Sequence, residues 1–348
     1  MKSQSVVQFG QPLEETVTDT PSPSGAEVLV RVGHCGVCHS DVHIHDGYFE
    51  LGDEAKLDLS RGRQLPFTLG HEIAGEVVAC GPDVTGVSPG ERKVIYPWIG
   101  CGTCPICESG NEHLCNAPRA LGVALPGGFS DHVLVPNSKY LIDYGDISES
   151  LAATYMCSGL TAYGALKKLA NVGEDDQVMV VGLGGVGMMG LQFAKALFKR
   201  PPLGADIDEA KLAAGAQGGA AKTYNSADAA TTKSVLTDTG GVAGVVDFVG
   251  SEASLNFATS IVRKGGQVVI VGLFGGAFSM PIPMFPLRAI SIGGSFVGSL
   301  AQTHEMMALV RAGKIQPIPV EERPLAQAGK TLNDLRAGKI IGRVVLKP

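Results

Sequence analysis

Four cysteines, Cys101, Cys104, Cys107 and Cys115, lie within fifteen residues, separated by two, two and seven residues. Four thiolates fill a tetrahedral coordination sphere and leave no open position, which is the chemistry of a structural metal. Zinc is favoured over an iron–sulfur cluster because the last interval is long and Asn116, not proline, follows the fourth cysteine, although spacing alone leaves iron open. The intervening Gly102, Pro105, Glu108 and Asn111 describe a surface lobe with little core of its own, which argues against four unmetallated buried thiols. His113 lies inside this lobe as a competing ligand, but the four sulfurs already complete the sphere.

A second constellation is more dispersed. Cys38 stands in the run Gly36-Val37-Cys38-His39-Ser40-Asp41-Val42-His43, the pair His71-Glu72 follows Gly70, and Cys157 precedes Ser158-Gly159-Leu160-Thr161. Two thiolates and an imidazole on zinc would leave the fourth position to water or substrate, as a catalytic site requires. The intervals are long, so other readings stand beside this one: Cys157 as a core cysteine at a helix start, His71 as a hydrogen-bonded core histidine. Asp41 or Glu72 could receive the second N–H of a metal-bound imidazole, and Glu72 could instead enter the coordination sphere transiently.

The third group is a loop. Val178-Met179-Val180-Val181 runs into Gly182-Leu183-Gly184-Gly185-Val186-Gly187, which places Gly182, Gly184 and Gly187 at G-x-G-x-x-G spacing between a strand and a helix. Glycines there permit a tight turn and close backbone approach, and the N–H groups of the helix start can hold a pyrophosphate. Asp206 lies 19 residues after Gly187, where a carboxylate can accept from both adenine-ribose hydroxyls and repel a 2′-phosphate, so NAD is preferred to NADP. A surface loop acid is the alternative for Asp206, because Pro201-Pro202 sits where the second strand should run and predicts a short or displaced strand.

These groups need two kinds of scaffold. Residues 1 to about 150 carry short β-rich pieces, such as Glu27 to Val32 and Glu76 to Ala79, divided by Gly/Pro turns, a texture that predicts an irregular, mostly antiparallel barrel. After Ser150 the pattern becomes strand, tight turn and helix. Val178–Val181 leads to a helix at Met188 to Phe198, further strands are expected at Gly244–Val249, Gln267–Val271 and Ile290–Val297, and Glu252–Val262 is long enough for a crossover helix. The fold class is therefore α/β with a β-rich portion. Ala221 to Ser234 reads as a helix surface or loop, and the tail from His304 ends in β-like Ile340–Leu346.

The chain has 348 residues, more than one hydrophobic core usually serves, so two domains are expected. With 28 Lys+Arg against 34 Asp+Glu the net charge is −6, and dispersed charge of both signs gives no footprint for nucleic acid or a membrane surface. The longest apolar stretch, Val178 to Leu191, is 14 residues and too short to cross a bilayer. The first residues lack a signal-peptide apolar run, and reduced cysteines suit the same compartment, so a cytoplasmic protein is expected.

Taken in order, Gly36 to His43, Gly70-His71-Glu72, the four-cysteine lobe, Cys157 to Thr161 and the glycine loop resemble the zinc-dependent medium-chain alcohol dehydrogenases over nearly the whole chain. The resemblance implies a GroES-like barrel domain (1–155, with the lobe at about 96–118), a doubly wound Rossmann domain (156–296) and a C-terminal return to the first domain (297–348). It implies two zinc ions per subunit, one catalytic on Cys38, His71 and Cys157, one structural on Cys101, Cys104, Cys107 and Cys115. Glu72 becomes the carboxylate near the catalytic metal, Asp41 the partner of the ligand histidine, Ser40 the hydroxyl on the bound alcohol and His43 the outer end of its proton relay. His39 and Arg343 match pyrophosphate contacts, Lys211 the basic residue near the adenosine ribose, and Thr161 a neighbour of the nicotinamide; Gly182, Gly184, Gly185, Val186 and Gly187 form the cofactor loop. The implied reaction is hydride transfer between a primary or secondary alcohol and NAD by a homotetramer, with a dimer as the alternative. A polyol or amino-alcohol dehydrogenase and a non-catalytic nucleotide-binding regulator are the rival readings. The chain departs from the common pattern in a long, charged segment at Tyr48–Gln64, in Tyr96-Pro97-Trp98 where one ring should wall the alcohol pocket, and in the double proline before Asp206.

Overall fold

In the computed structural model, which describes residues 1–52 and 54–348, the strand Val28–Gly36 is the hub of the first domain. It pairs antiparallel with Glu72–Cys80, His132–Val135 and the C-terminal strand Arg343–Lys347. The sheet continues through Arg92–Ile95 to Leu141–Ile142 on one side and through Val320–Pro324 on the other. Both long strands carry runs of Val, Ile and Ala that are almost wholly buried, as expected of strands covered on two faces. A smaller sheet joins Glu14–Val17, Lys2–Val6 and Phe67–Thr68. The Tyr48–Gln64 segment contains an antiparallel hairpin, Tyr48–Gly52 with Ala55–Asp58; Asp53 lies outside the described residues.

The second domain is a six-stranded parallel sheet in the order Thr223–Asn225, Leu203–Asp206, Val178–Val181, Val242–Asp247, Val262–Ile270, Ser291–Gly294. Numbered along the chain this is 3-2-1-4-5-6, the doubly wound arrangement in which ligands bind where the order reverses. The α/β expectation holds. Two local readings need correction: Ala221–Ser234 contains the third strand, Thr223–Asn225, as well as the start of the helix Thr231–Thr239, and Gly244–Val249 begins earlier and ends at Asp247. The double proline does shorten the second strand, which is four residues long and begins immediately after Pro202.

The two sheets meet through helical segments. Glu149–Thr154 and Leu160–Lys167 flank a π-helical turn, Tyr155–Gly159, whose widened backbone carries Cys157. Such turns are uncommon and concentrate at functional sites. One buried apolar cluster runs from Val28 and Ile73 through Met156 and Leu160 to Val180 and Met189, so the site between the sheets rests on a shared core.

Candidate active site

Cys38 caps the helix His39–Asp46, His71 lies immediately before the strand Glu72–Cys80, and Cys157 sits in the π-turn. Three elements distant in sequence thus bring two sulfurs and an imidazole to one buried point, with all ligand atoms within 4.8 Å of one another. The Sγ atoms of Cys38 and Cys157 are 3.9 Å apart, close to the edge of about 3.8 Å that a tetrahedron with zinc–sulfur bonds of about 2.3 Å demands. Both ring nitrogens of His71 are buried without a hydrogen-bond partner, a costly state that a metal on one of them would relieve. Its Nδ1 lies 3.3 Å from Asp41 Oδ1, too poorly aligned for a hydrogen bond but in place to orient the ring. Asp41 accepts from the backbone N–H of Cys38 at 2.8 Å and of Gly70 at 3.1 Å, so one carboxylate holds the segments of two ligands together. The Cys157 thiol, and after it His71 and Arg343, pull the Cys38 thiol well below its usual range against the opposing effect of burial. The donor set fits zinc.

Glu72 is fully buried beneath this cluster. Its Oε1 accepts from the Ser158 hydroxyl at 2.7 Å and its Oε2 accepts from the guanidinium of Arg343. Gly36 allows that fit, because a Cβ there would stand 1.9 Å from Glu72 Oε2. Burial raises the Glu72 pKa against the pull of Arg343. Ser40 Oγ is 3.9 Å from Cys38 Sγ, and His43, one turn further on the same helix, packs against Phe49 with the rings tilted by 42° and their centroids 4.5 Å apart. Burial first, and then His39, lower the His43 pKa. Trp98 packs against His71 with ring centroids 5.3 Å apart and meets the half-exposed Phe296 edge-on at 5.6 Å. Both Trp98 and Tyr96 are buried and donate to backbone carbonyls at 3.0 Å, Trp98 to Met156 and Tyr96 to Gly298, so it is the contact with His71 that sets Trp98 apart. Phe296 escaped the sequence reading because it lies in a segment read as an edge strand; the strand stops at Gly294.

The glycine loop divides its labour by position. Gly182 has φ of +85°, a left-handed conformation that disfavours side chains, and Gly187 packs so closely that a Cβ would stand 1.7 Å from the Gly182 carbonyl oxygen. A Cβ on Gly184 would meet nothing within 4 Å, so this residue faces open space at the N-cap of the helix Gly185–Leu197. Arg343 reaches the same place: a Cβ on Gly185 would lie 2.5 Å from its Cδ, and its Nε is buried without a partner. An anion held by free helix N–H groups and this guanidinium satisfies all of them, so the cradle fits a pyrophosphate. Val186 is half-buried on the first turn of that helix. Asp206 ends its strand, largely buried, and accepts from the backbone N–H groups of Leu183 at 2.7 Å, Ile207 at 2.8 Å and Asp208 at 3.0 Å. It is an anchor of the loop, not a surface acid. Lys211 is half-buried on the helix that Asp208 caps, His39 is exposed at the cleft beside Cys38, and Thr161 lies one turn past Cys157.

The lobe is separate and closed. Its sulfurs stand 3.5 Å (Cys104 to Cys107), 3.8 Å (Cys104 to Cys115) and 3.9 Å (Cys101 to Cys107) apart, again the edges of a tetrahedral thiolate sphere. The backbone N–H and hydroxyl of Thr103 bring the Cys101 pKa down to about 6, favouring the thiolate. His113 is outside the four-sulfur group. Glu112 ties the lobe to the barrel by accepting from Lys139 Nζ at 2.6 Å and from the Tyr140 hydroxyl.

A parallel doubly wound sheet with a pyrophosphate cradle, set against a β domain with an open two-cysteine, one-histidine metal site, defines a two-domain metal- and dinucleotide-dependent oxidoreductase. Comparison with known proteins makes this specific. Residues 24–145 match the alcohol dehydrogenase GroES-like domain and residues 185–312 the zinc-binding dehydrogenase domain. The chain is 36% identical to an NAD-dependent alcohol dehydrogenase of Saccharolobus solfataricus and 35% identical to one of Sulfurisphaera tokodaii, covering 100% of both partners in each case. Its fold superposes on the crystal structure of the alcohol dehydrogenase of Aeropyrum pernix with a TM-score of 0.89 at 28% identity, over 100% of each chain. The chain belongs to the zinc-dependent medium-chain alcohol dehydrogenase family.

Proposed function

We propose that this protein transfers hydride between a primary or secondary alcohol and NAD, yielding an aldehyde or ketone. The observation that carries the reading is the buried cluster of Cys38, His71 and Cys157, with Ser40 3.9 Å from Cys38, Trp98 against His71, and Arg343 joining Glu72 behind it to the glycine loop. Zinc on those three residues supplies Lewis acidity that lowers the pKa of an alcohol hydroxyl, and NAD supplies the hydride acceptor. Ser40 accepts the hydroxyl proton at its Oγ as it gives up its own, and His43, one turn further along the helix, is the outer end from which a proton leaves to solvent. Trp98 and Phe296 exclude water and orient the carbon chain. Asp41 and the Glu72–Arg343 pair fix the ligand segments, while Arg343, His39 and the amides of Gly184, Gly185 and Val186 hold the pyrophosphate. Asp206 and Lys211 address the adenosine ribose, and Thr161 lies against the nicotinamide.

A second zinc, held by Cys101, Cys104, Cys107 and Cys115, stabilises the lobe. We read the domains as 1–155, 156–296 and 297–348; the pairing of Arg343–Lys347 with Val28–Gly36 supports the return of the last segment to the first domain. Association into a tetramer, or failing that a dimer, is supported by the outer edge strand Ser291–Gly294 and by nearby Phe274 and Ile282, 76% and 82% exposed, an apolar surface that an isolated chain would leave wet. Among the described residues no helix is long and apolar enough to cross a membrane.

The test is direct. Zinc-replete protein is incubated with NAD or NADP and a panel of aliphatic, benzylic, secondary, polyol and amino alcohols, and reduced cofactor is followed by absorbance. An NAD-linked rate with simple alcohols is expected; silence across the panel, with zinc confirmed at both sites, would overturn the proposal.

A further inference from the structure

The dinucleotide crevice has two walls, and the reading above accounts for only one. The sheet order reverses between Val178–Val181 and Val242–Asp247, so the glycine loop forms one side and the residues after Asp247 form the other. Val249 meets the glycine loop directly: a Cβ on Gly182 would lie 2.6 Å from its Cγ2.

Asp247 organises this second wall. It is completely buried, and its Oδ1 accepts from the backbone N–H groups of Val249 at 2.9 Å and Gly250 at 3.2 Å. Its Oδ2 accepts from the Ser254 hydroxyl at 2.8 Å, which ties the turn to the start of the next helix. Its own carbonyl accepts from Val271 and Gly272, at 2.8 and 3.1 Å, so the exit of the neighbouring strand hangs on the same residue. The two loops touch: a Cβ on Gly250 would stand 1.9 Å from the Gly272 carbonyl oxygen. None of its partners among the described residues is a cation, and burial pushes its carboxyl pKa up. A buried carboxylate with hydrogen-bond donors but no counter-charge is costly for the fold alone, since an amide residue would avoid much of the desolvation.

We propose that Asp247 is a positioning residue for the cofactor, holding Val249 and the Val271–Gly272 segment so that the crevice opposite Gly182 keeps the width of a dinucleotide. The inference rests on the NAD reading above. It is tested in the full-length, zinc-replete protein with Asp247→Ala, Asp247→Asn and Ser254→Ala, measuring the NADH dissociation constant by fluorescence, KM for NAD, KM for alcohol, and Tm. Asp247→Ala is expected to weaken NADH about ten-fold or more and raise KM for NAD in parallel, with KM for alcohol within about two-fold. Asp247→Asn keeps an acceptor for Val249 and Gly250 and offers an N–H to Ser254, so it should restore affinity to within about three-fold of the parent. Ser254→Ala, which leaves Asp247 its two backbone donors but removes the Oδ2 contact together with the hydroxyl's capping bonds to Ser251, should weaken NADH by about three-fold and keeps the question open to measurement if the alanine at 247 does not fold. Parent-like NADH affinity in Asp247→Ala or Ser254→Ala, whatever the Tm, or an asparagine no better than alanine, would overturn the proposal. A parent protein that binds no NADH would overturn the cofactor reading itself, and this inference with it.

Discussion

Replacing Asp206 by glycine separates the anchoring of the glycine loop, seen in the structure, from the ribose contact proposed for the same carboxylate. The side chain accepts from Leu183 inside the glycine loop and from Ile207 and Asp208 after its own strand. Leu183 is 2% exposed, so its N–H finds no ready water when the carboxylate goes. Hydrogen bonds to charged groups contribute about 1.5–3 kcal/mol, and an orphaned buried donor costs about 1–3 kcal/mol. The loop therefore loosens by roughly 2 kcal/mol before any ribose contact is counted, about thirty-fold in NAD affinity. For NADP the same loss is offset by removal of the repulsion between a carboxylate and a 2′-phosphate, worth about 4 kcal/mol per unit-charge pair at 4 Å in a partly screened site. Asp206→Gly should thus lower kcat/KM for NAD by about a hundred-fold while raising that for NADP by up to about thirty-fold, the roughly 2 kcal/mol left after the loop's loss is set against the relieved repulsion, so discrimination collapses from both sides. Asp206→Asn, which keeps one acceptor for Leu183 and drops the charge, should hold NAD better than the glycine variant and still relax the preference. Paired initial-rate kinetics with both cofactors decide the matter. If glycine retains NAD efficiency within about three-fold, or if the NAD/NADP ratio stays at the parent value, the double role of Asp206 is wrong.

Three further perturbations probe the rest of the molecule. Ser40→Ala should lower kcat by about a hundred-fold or more with little change in NADH affinity, since it removes the group that takes the substrate proton; near-parent turnover would refute the relay. Trp98→Ala opens the pocket beside His71 and should shift the ranking of alcohols toward bulkier chains and rings, measured as ratios of kcat/KM; an unchanged ranking would move the pocket wall elsewhere. Glu149, held by His34 at 2.9 Å, Arg92 and Tyr144, has its pKa brought from 4.5 down to about 2, chiefly by His34 and Arg92 against the opposing effect of burial. A depressed carboxylate stabilises the fold above the unfolded value and loses that contribution as pH falls from about 4.5 toward about 2, an amount of ~3 kcal/mol. Glu149→Gln should therefore be less stable than the parent in urea at pH 7, with the gap narrowed by about half at pH 3 and closing toward pH 2; a gap that stays constant with pH would refute the linkage.

What could be read from the sequence divides along a physical line. Short-range chemistry was legible: the four cysteines are close in sequence, so their spacing alone demanded a metal lobe, and the glycine loop sits between a strand and a helix as its spacing required. The open site was weak from residues alone, because Cys38, His71 and Cys157 are joined only by tertiary structure, and it took the ordered set of motifs to connect them. Nor could the sequence choose between Tyr96 and Trp98. The two alternate along an irregular segment and both donate to distant backbone carbonyls, Tyr96 to Gly298 and Trp98 to Met156; what separates them is that the Trp98 ring packs on His71, a contact set by tertiary structure.

The same distinction explains why Ser158 and Asp247 went unnoticed. Each is a small polar residue whose importance lies in which backbone groups it satisfies, and those partners are set by topology. Ser158 follows Cys157 and reaches Glu72 across the domain junction, so the Glu72–Arg343 pair is held from three elements at once: a barrel strand, the π-turn and the C-terminal strand. A change in the seat of any one is felt by the metal ligands on the first two and by the pyrophosphate cradle that shares Arg343 with the third. Metal site and dinucleotide crevice therefore rest on one buried ion pair. Removing the carboxylate, as in Glu72→Gln, leaves Arg343 charged and without its anion, and should weaken NADH binding as well as zinc retention. Metal analysis and NADH titration on the same preparation test this: zinc lost with cofactor affinity intact would show that the two sites are independent.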